Sequence, residues 1–576
     1  MNYGIRSQQQ YTKILLVIAI LILAIFLLTP RYWEPGSGGE SWKQWAAARI
    51  LREEGEFPVI GLGPLYVIYL QLFSFFDYPV SMYMEYIVTH LFTYLAIYFM
   101  LQRFIRSEYA LLLTIAWIPR IAVVEMGSAV AGIGFLSLYL MSAKNSMRNE
   151  NYFPLTLSAA ALSHSAYIPF LAGHIIGVLV KKWQKHSPLI SFSGAFSQKK
   201  VLLMSAKMGL IVLVILTMAF PPVRYDNHGM IDLTYAPAQS KDPFSLVFFM
   251  RGNAWYTMRN FPEEDWINQD WYFTQEEAFG GATNVFHAIY NKPETVIRNI
   301  LTTIRLGIQV PAYFFIGTFP GIISLIFWVL PVLGFIALFQ RLKAHKNIQL
   351  IFSISFGTLA VFGSLLLTAF LTRYVMVLLP VALLMLCHVG SGLYYLRKSN
   401  IPLLSSVNSI PIAVKLTRFL IIISFILLLL TIQYPFGKIS QIEAVIENKA
   451  FFSEKQPVSM VNAHKELLTS LDESTKVLAL EHSWIVAFTD VDLDNIYQVW
   501  SLPPFADSSG KTEKIFQELD VIWVSNKWEE ERATLPTQSY LRYILHVKPF
   551  LEKAVNEGWT AKDVEGYGKV YKKAHT

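Results

Sequence analysis

Apolar runs long enough to cross a bilayer recur along this chain of 576 residues, and they leave few architectures open. Residues 13–29 (KILLVIAILILAIFLLT) have about the length of a spanning helix. The following Pro30-Arg31-Tyr32-Trp33 offers no small-residue cleavage site, so this run reads as a retained anchor. Further candidate spans cover roughly 80–102, 109–126, 127–142, 153–165, 166–181, 201–221, 313–340, 349–371, 374–396 and 418–434. A composition of 54% hydrophobic against 15% charged residues excludes an ordinary soluble protein. The expected fold is a polytopic α-helical membrane protein of about eleven transmembrane helices, followed by a small extracytoplasmic α/β domain.

Lys and Arg are retained on the cytoplasmic side of short loops, which sets the orientation. With the N-terminus cytoplasmic, Arg6, Lys13, Arg103, Arg106, Lys144, Lys181, Arg341, Lys343, Arg397 and Arg418 all fall on that side. The expected division is then a membrane domain over 1–434, with outer loops at 30–79 and 222–312, and an outer α/β domain over 435–576. Segment 64–76 (PLYVIYLQLFSFF) is the weak point of this topology, because a crossing there would invert everything downstream. Its shortness and the charge pattern place it at the membrane interface. In the tail, strands are expected at 476–480, 520–526 and 567–573, with helices around 439–450 and 537–556.

The formal charge of +7 does not imply nucleic acid, since the basic residues are dispersed between apolar runs. The single cysteine, Cys387, rules out an internal disulfide and any metal site built from several thiolates. Nucleotide-binding P-loops, H-E-x-x-H, G-x-S-x-G and G-x-G-x-x-G helix openings are missing. Paired broken helices typical of secondary transporters are not visible either.

Chemistry is best sought in the outer loops. The first contains Glu34 and a glycine-rich stretch up to Glu40, which opens a helix ending at Gly55. On its own, Glu40 reads as a helix N-terminal acid offsetting the macrodipole. Trp42, Trp45, Ala46, Ile50 and the stem of Arg49 are expected to lie on the bilayer surface. Gly63-Pro64-Leu65-Tyr66 follows. At the outer end of a late span stands Leu371-Thr372-Arg373-Tyr374, with Pro380 six residues after Tyr374. Alone, such an arginine is an ordinary snorkelling residue. Arg120 and Glu125 occupy an outer turn between two spans. The second loop holds Arg224 and Asp226 among aromatic and acidic residues that suit sugar recognition and an interfacial loop equally, and ends in an expected interfacial helix from Pro293 to Arg305. His164 reads as a hydrogen-bonded core histidine.

Taken together, a first span, an acid, an A-x-x-L/I-x-x-x-G helix, a G-P-L-Y element and a late R-Y-x-x-x-x-x-P pattern resemble the membrane-embedded C-type glycosyltransferases. That superfamily includes protein O-mannosyltransferases, aminoarabinose transferases and the catalytic subunit of oligosaccharyltransferase. The resemblance implies that Glu40, with Glu34 as the fallback, is the catalytic carboxylate, although the usual Asp or Asp-Glu pair is here a single Glu. It further implies that Arg373 and Tyr374 face the donor phosphate, with Tyr66, Arg120, Glu125, Arg224 and Asp226 as substrate-binding candidates. The implied activity is inverting transfer of a hexosyl or pentosyl unit from a polyprenyl-phosphate or polyprenyl-diphosphate donor to a protein, lipid or glycan acceptor. A divalent metal is allowed without its ligands being fixed. No W-W-D-Y-G motif is present, which disfavours the usual transfer to an Asn sequon. An O-antigen-type polymerase or ligase and a non-enzymatic lipid or solute transporter stand as alternatives.

Overall fold

The computed structural model describes residues 40–55, 63–121, 127–143, 153–186, 277–307, 329–367, 375–398, 410–430, 465–525 and 542–574, apart from some positions within those stretches, and scattered positions at 14–22 and 249–252. The described chain is mostly helical. In order come α1 (Glu40–Glu54), α2 (Pro64–Leu70), α3 (Val80–Gln102), α4 (Ser107–Ile121), α5 (Gly127–Leu140), α6 (Phe153–Ser163) and α7 (Ile168–His186). They are followed by α8 (Val285–Asn291), α9 (Pro293–Gly307), α10 (Val329–Ala344), α11 (Ile348–Leu367), α12 (Leu379–Lys398) and α13 (Ile410–Leu430).

α3 has the length and apolar composition of a membrane-crossing helix. Its 23 residues reach about 34 Å, enough for a hydrocarbon core of about 30 Å. Val80, Met84, Val88, Leu91, Leu95 and Phe99 recur at intervals of three and four and are exposed. The opposite face buries Ser81, Glu85, Thr89, His90 and Thr93. Apolar groups outward and polar groups inward reverse the arrangement of a water-soluble helix, as lipid surroundings require. Among the described residues, α3 is the one helix long and apolar enough to cross on its own; the other apolar helices are shorter. The segment at 64–76 folds as α2 plus a 3-10 turn at Gln71–Phe73, ten residues in all. That is about 15 Å, half a crossing.

Small residues bring helices together. A Cβ built on Gly173 of α7 meets Phe352 O of α11 at 2.5 Å, and one on Gly177 meets Gln349 Cα at 2.6 Å. This G-x-x-x-G face lets the two backbones touch. Ser353 Oγ donates to Phe170 O at 2.7 Å and fixes the pair lengthwise. α12 is apolar on all sides, is buried over most of its length and packs along α10. At one end of the bundle, Arg341 lies over the Phe104 ring at 5.5 Å and Arg418 over Tyr109 at 5.7 Å. Arg341 also sits 3.2 Å from His388 Nε2.

The tail forms a five-stranded sheet in the order β2-β1-β3-β5-β4. β1 is Val477–Ala479, β2 Ile496–Gln498, β3 Val521–Ser525, β4 Thr560–Val564 and β5 Gly568–Lys572. β1 pairs in parallel with both β2 and β3, while β5 pairs antiparallel with β3 and β4. α14 (His482–Phe488), α15 (Lys511–Glu518) and α16 (Lys548–Asn556) complete it. β1 and β3 are buried on both faces, which explains their unbroken apolar runs. Leu478, Ile522 and Val524 join Phe516 of α15 and Leu551 of α16 in one core. Val477, Ala479, Val521 and Trp523 join a second core with Ile485 and Val486 of α14 and, from the first loop, Trp45, Ala46, Ala47, Ala48 and Ile50.

That second core corrects one expectation. α1 does not rest on the bilayer surface: residues 44–50 are all buried, sandwiched between the tail unit, α2 and Ala131 of α5. The apolar face of the sheet needs a cover, and three consecutive alanines let α1 approach closely enough to supply it.

Candidate active site

Glu40 is the first residue of α1, four residues and therefore one turn before Gln44. Gln44 is 1% exposed, and its Nε2 donates to Ser128 Oγ at 2.6 Å. Ser128 lies in the first turn of α5. The start of α1 is thus tied to the N-terminal end of α5, the end at which a helix carries partial positive charge.

A polar cluster adjoins this junction. Tyr66 of α2 is 2% exposed and donates its hydroxyl to Glu85 Oε1 of α3. Thr89 Oγ1 lies 2.9 Å from the same carboxylate oxygen and 3.2 Å from Tyr69 Oη. Gly127 closes the cluster. A Cβ there overlaps the Tyr66 hydroxyl at 1.8 Å and Glu85 Oε1 at 2.9 Å, so only glycine admits the approach. Burial, and then the neighbouring Glu85 carboxylate, hold the Tyr66 hydroxyl well above the usual tyrosine pKa. Burial also pushes Tyr69 up to about 12.

Arg49 joins the site to the tail. It is 5% exposed, donating Nη1 to Val486 O at 3.1 Å, Nη2 to Val491 O at 2.7 Å and Nε to Glu53 Oε1 at 2.7 Å. The guanidinium thus clamps α14 and the turn after it onto α1, the first-loop helix that Glu40 opens.

Of the residues singled out from sequence, Tyr66 is described completely and sits in this cluster. Glu40 and Arg120 are placed on α1 and α4, without their side chains. Glu34, Glu125, Arg224, Asp226, Arg373 and Tyr374 lie outside the described residues. The chain resumes after Arg373-Tyr374 at buried Val375, and the next turn, Met376–Leu378, packs against α5. His164 is a buried structural residue whose Nδ1 accepts from Ala166 N at 3.2 Å. Glu85 is the functional candidate that sequence reading passed over. Its signal was present: it is the one carboxylate in an apolar run of 23 residues.

Among the described residues, no group of three or more His, Cys, Asp and Glu side chains gathers as a metal site. Glu85 is met by hydroxyls, with no second carboxylate beside it in the contacts above.

No protein-family model and no curated protein matches this chain. Solved structures do match. The Archaeoglobus fulgidus oligosaccharyltransferase tethered with an acceptor peptide containing the NVT sequon is 13% identical, with a TM-score of 0.39 over 98% of this chain and 74% of that one. The same organism's enzyme in complex with an inhibitory peptide and a dolichol-phosphate is 11% identical, with a TM-score of 0.38 over 99% and 75%. Its complex with Zn and sulfate is 12% identical, with a TM-score of 0.40 over 96% and 72%. These three structures are of an oligosaccharyltransferase. They belong to the superfamily that the first loop and the Arg373-Tyr374 element resemble. The superposition is loose, and the site rests on its own geometry.

Proposed function

We propose that this protein is a multi-span membrane glycosyltransferase that transfers a sugar, with inversion, from a polyprenyl-phosphate or polyprenyl-diphosphate donor to an acceptor outside the cytoplasm. The observation that carries the reading is the convergence on α5. Gln44, one turn after Glu40, bonds Ser128 at the start of that helix, and the turn that follows Arg373 by a few residues packs on the same helix. That a contact one turn after Glu40 and a turn three residues after Arg373 share one helix supports a common neighbourhood for the two groups.

In this mechanism Glu40 removes the proton from the acceptor hydroxyl as its oxygen attacks the anomeric carbon. The bond from that carbon to the phosphate oxygen breaks in the same displacement. Arg373, always charged and presenting a planar fork of donors, takes up the charge gathering on the lipid phosphate. A phosphate leaves without a strong general acid, so one base suffices. Tyr66, which shares a core with α1, is held by Glu85, and this supports a rigid base for the helix that Glu40 opens.

The clustering of Arg341 and Arg418 at the end of the bundle away from α1 supports a cytoplasmic placement of that end. It also supports an outer position for the site; on this reading the membrane part is 1–434, with about eleven spans, and the tail unit 435–576. The inside-out α3 favours insertion in lipid.

The test is purified protein with a panel of lipid-linked sugars, comparing wild type with Glu40→Gln and Arg373→Ala. Glu40→Gln is expected to lower turnover roughly 10²–10⁴-fold, and Arg373→Ala roughly 10²–10³-fold. Full activity in Glu40→Gln overturns the assignment and favours an O-antigen-type polymerase. Binding without product in wild type overturns the enzyme reading itself.

A further inference from the structure

A cavity of about 470 Å³ opens between α1, the end of α2 and the tail unit. It is distinct from the Glu85 cluster. Along α1 it is bordered by Trp45, Ala48, Arg49 and Arg52, a side of the helix rotated roughly a quarter-turn from Gln44. Its volume falls within the range of small-molecule sites, about 300–1,000 Å³.

The lining combines two kinds of surface. Aromatic rings form one: Trp45 and Phe488 stand 5.6 Å apart, Tyr78 and Phe488 4.8 Å, and Phe76 is 37% exposed at the edge. Charged groups form the other. Arg49 is engaged by two carbonyls and Glu53, Arg52 lies 3.7 Å from the same Glu53 oxygen, and Lys465, Asp77 and Asp490 complete the charged lining. With Glu53, which pairs with both arginines, three positive and three negative groups balance, so the cavity has no strong bias toward an anion such as phosphate. Ser81 adds a pointer to a ligand. It is 1% exposed, lines the cavity, and its Oγ has no hydrogen-bond partner. A buried hydroxyl left unpaired costs free energy that a bound polar group recovers.

Flat apolar rings beside a balanced set of donors and acceptors suit a neutral polyhydroxylated ligand, whose C–H faces pack on rings while its hydroxyls bond carboxylates, amides and cations. We infer that this cavity is a carbohydrate-binding site that takes a neutral mono- or disaccharide. On the function proposed above, on which this part rests, the bound sugar is a non-reacting residue of a glycan acceptor. The bordering residues of α1 lie roughly 8–18 Å along the helix axis from Glu40, too far for the sugar held there to be the one that reacts. The tail unit therefore contributes acceptor recognition, through Phe488, Asp490 and Lys465.

The test uses the full chain in nanodiscs, since maltoside detergents would compete. Maltose, cellobiose, lactose and N,N′-diacetylchitobiose are titrated against tryptophan fluorescence and calorimetry, with inorganic phosphate as a separate arm. At least one disaccharide is expected to bind. Phe76→Ala is expected to weaken it roughly tenfold, and Asp490→Asn by a similar factor, with melting temperatures unchanged. Glu40→Gln is expected to bind normally while losing turnover. No binding by any sugar, binding untouched by both cavity variants, or preferential binding of phosphate overturns the inference. If turnover persists while sugars fail to bind, this inference falls alone. If sugars bind but no lipid-linked donor gives product, the carbohydrate site stands and the transferase reading falls.

Discussion

Replacing Arg49 with alanine tests whether one side chain holds the tail unit on the first loop. Arg49 is 5% exposed and donates to Val486 O at 3.1 Å and Val491 O at 2.7 Å. Alanine leaves both carbonyls without that donor in a buried contact, at a cost of about 1–3 kcal/mol each. The ion pair with Glu53 adds little, because Glu53 is 38% exposed and solvent screens it. The sum is about 4 kcal/mol, which shifts opening of the contact roughly 10³-fold. Hydrogen exchange on the intact protein reads this directly, because the amides at 44–50 lie beneath the tail unit. They are expected to lose about three orders of magnitude of protection, while amides in α12 keep theirs. Arg49→Lys, which reaches one carbonyl, is expected to fall midway on the logarithmic scale. Protection at 44–50 within threefold of wild type in Arg49→Ala refutes the clamp.

Further outcomes follow from the same geometry. Gly127→Ala is expected to displace Tyr66 from Glu85 and destabilise the protein by about 3–5 kcal/mol, combining overpacking with a lost charge-assisted bond; thermal unfolding in detergent measures it, and no loss contradicts the close approach. Gly177→Leu is expected to separate α7 from α11 and lower the melting temperature, whereas Gly363→Ala, where an added Cβ meets nothing within 4 Å, leaves it unchanged. Tyr69 is raised from 10.0 to about 12, so the stability it contributes is complete below pH 10 and is lost as pH climbs toward 12. The difference in tyrosinate absorbance between wild type and Tyr69→Phe is expected to rise near pH 12, and a rise near pH 10 rejects the burial.

How far the sequence revealed this arrangement depends on the range of each interaction. Helices over 80–102, 127–142 and 349–371 were legible because an apolar face repeats locally, and α3 matches its expected bounds. β1, β3 and β5 were legible from short β-branched and aromatic runs. β2, Ile496–Gln498, is short and ends in a polar residue, and β4, Thr560–Val564, is an edge strand exposed along most of its length, so neither carries an apolar run. Glu85 became meaningful only beside Tyr66, 19 residues earlier, and Gly127. Nothing local could announce the two carbonyls that Arg49 reaches, which lie 437 and 442 residues further on. The misreading of α1 as a bilayer-surface helix has the same origin, because an amphipathic pattern states that a face needs cover without naming what covers it.

The span between Arg49 and its acceptors also sets a timetable for biosynthesis. At about 5–20 residues per second, roughly 20–90 s pass between translation of α1 and translation of the strand-flanking helix that captures it. Throughout that interval the part of the Trp45–Ile50 face that the tail covers has no lid and presents sticky surface to any chaperone or protease that meets it. A ribosome stalled before α14 therefore releases a product with every bundle helix in place and an unshielded first loop, which quality control can recognise by that single uncovered face.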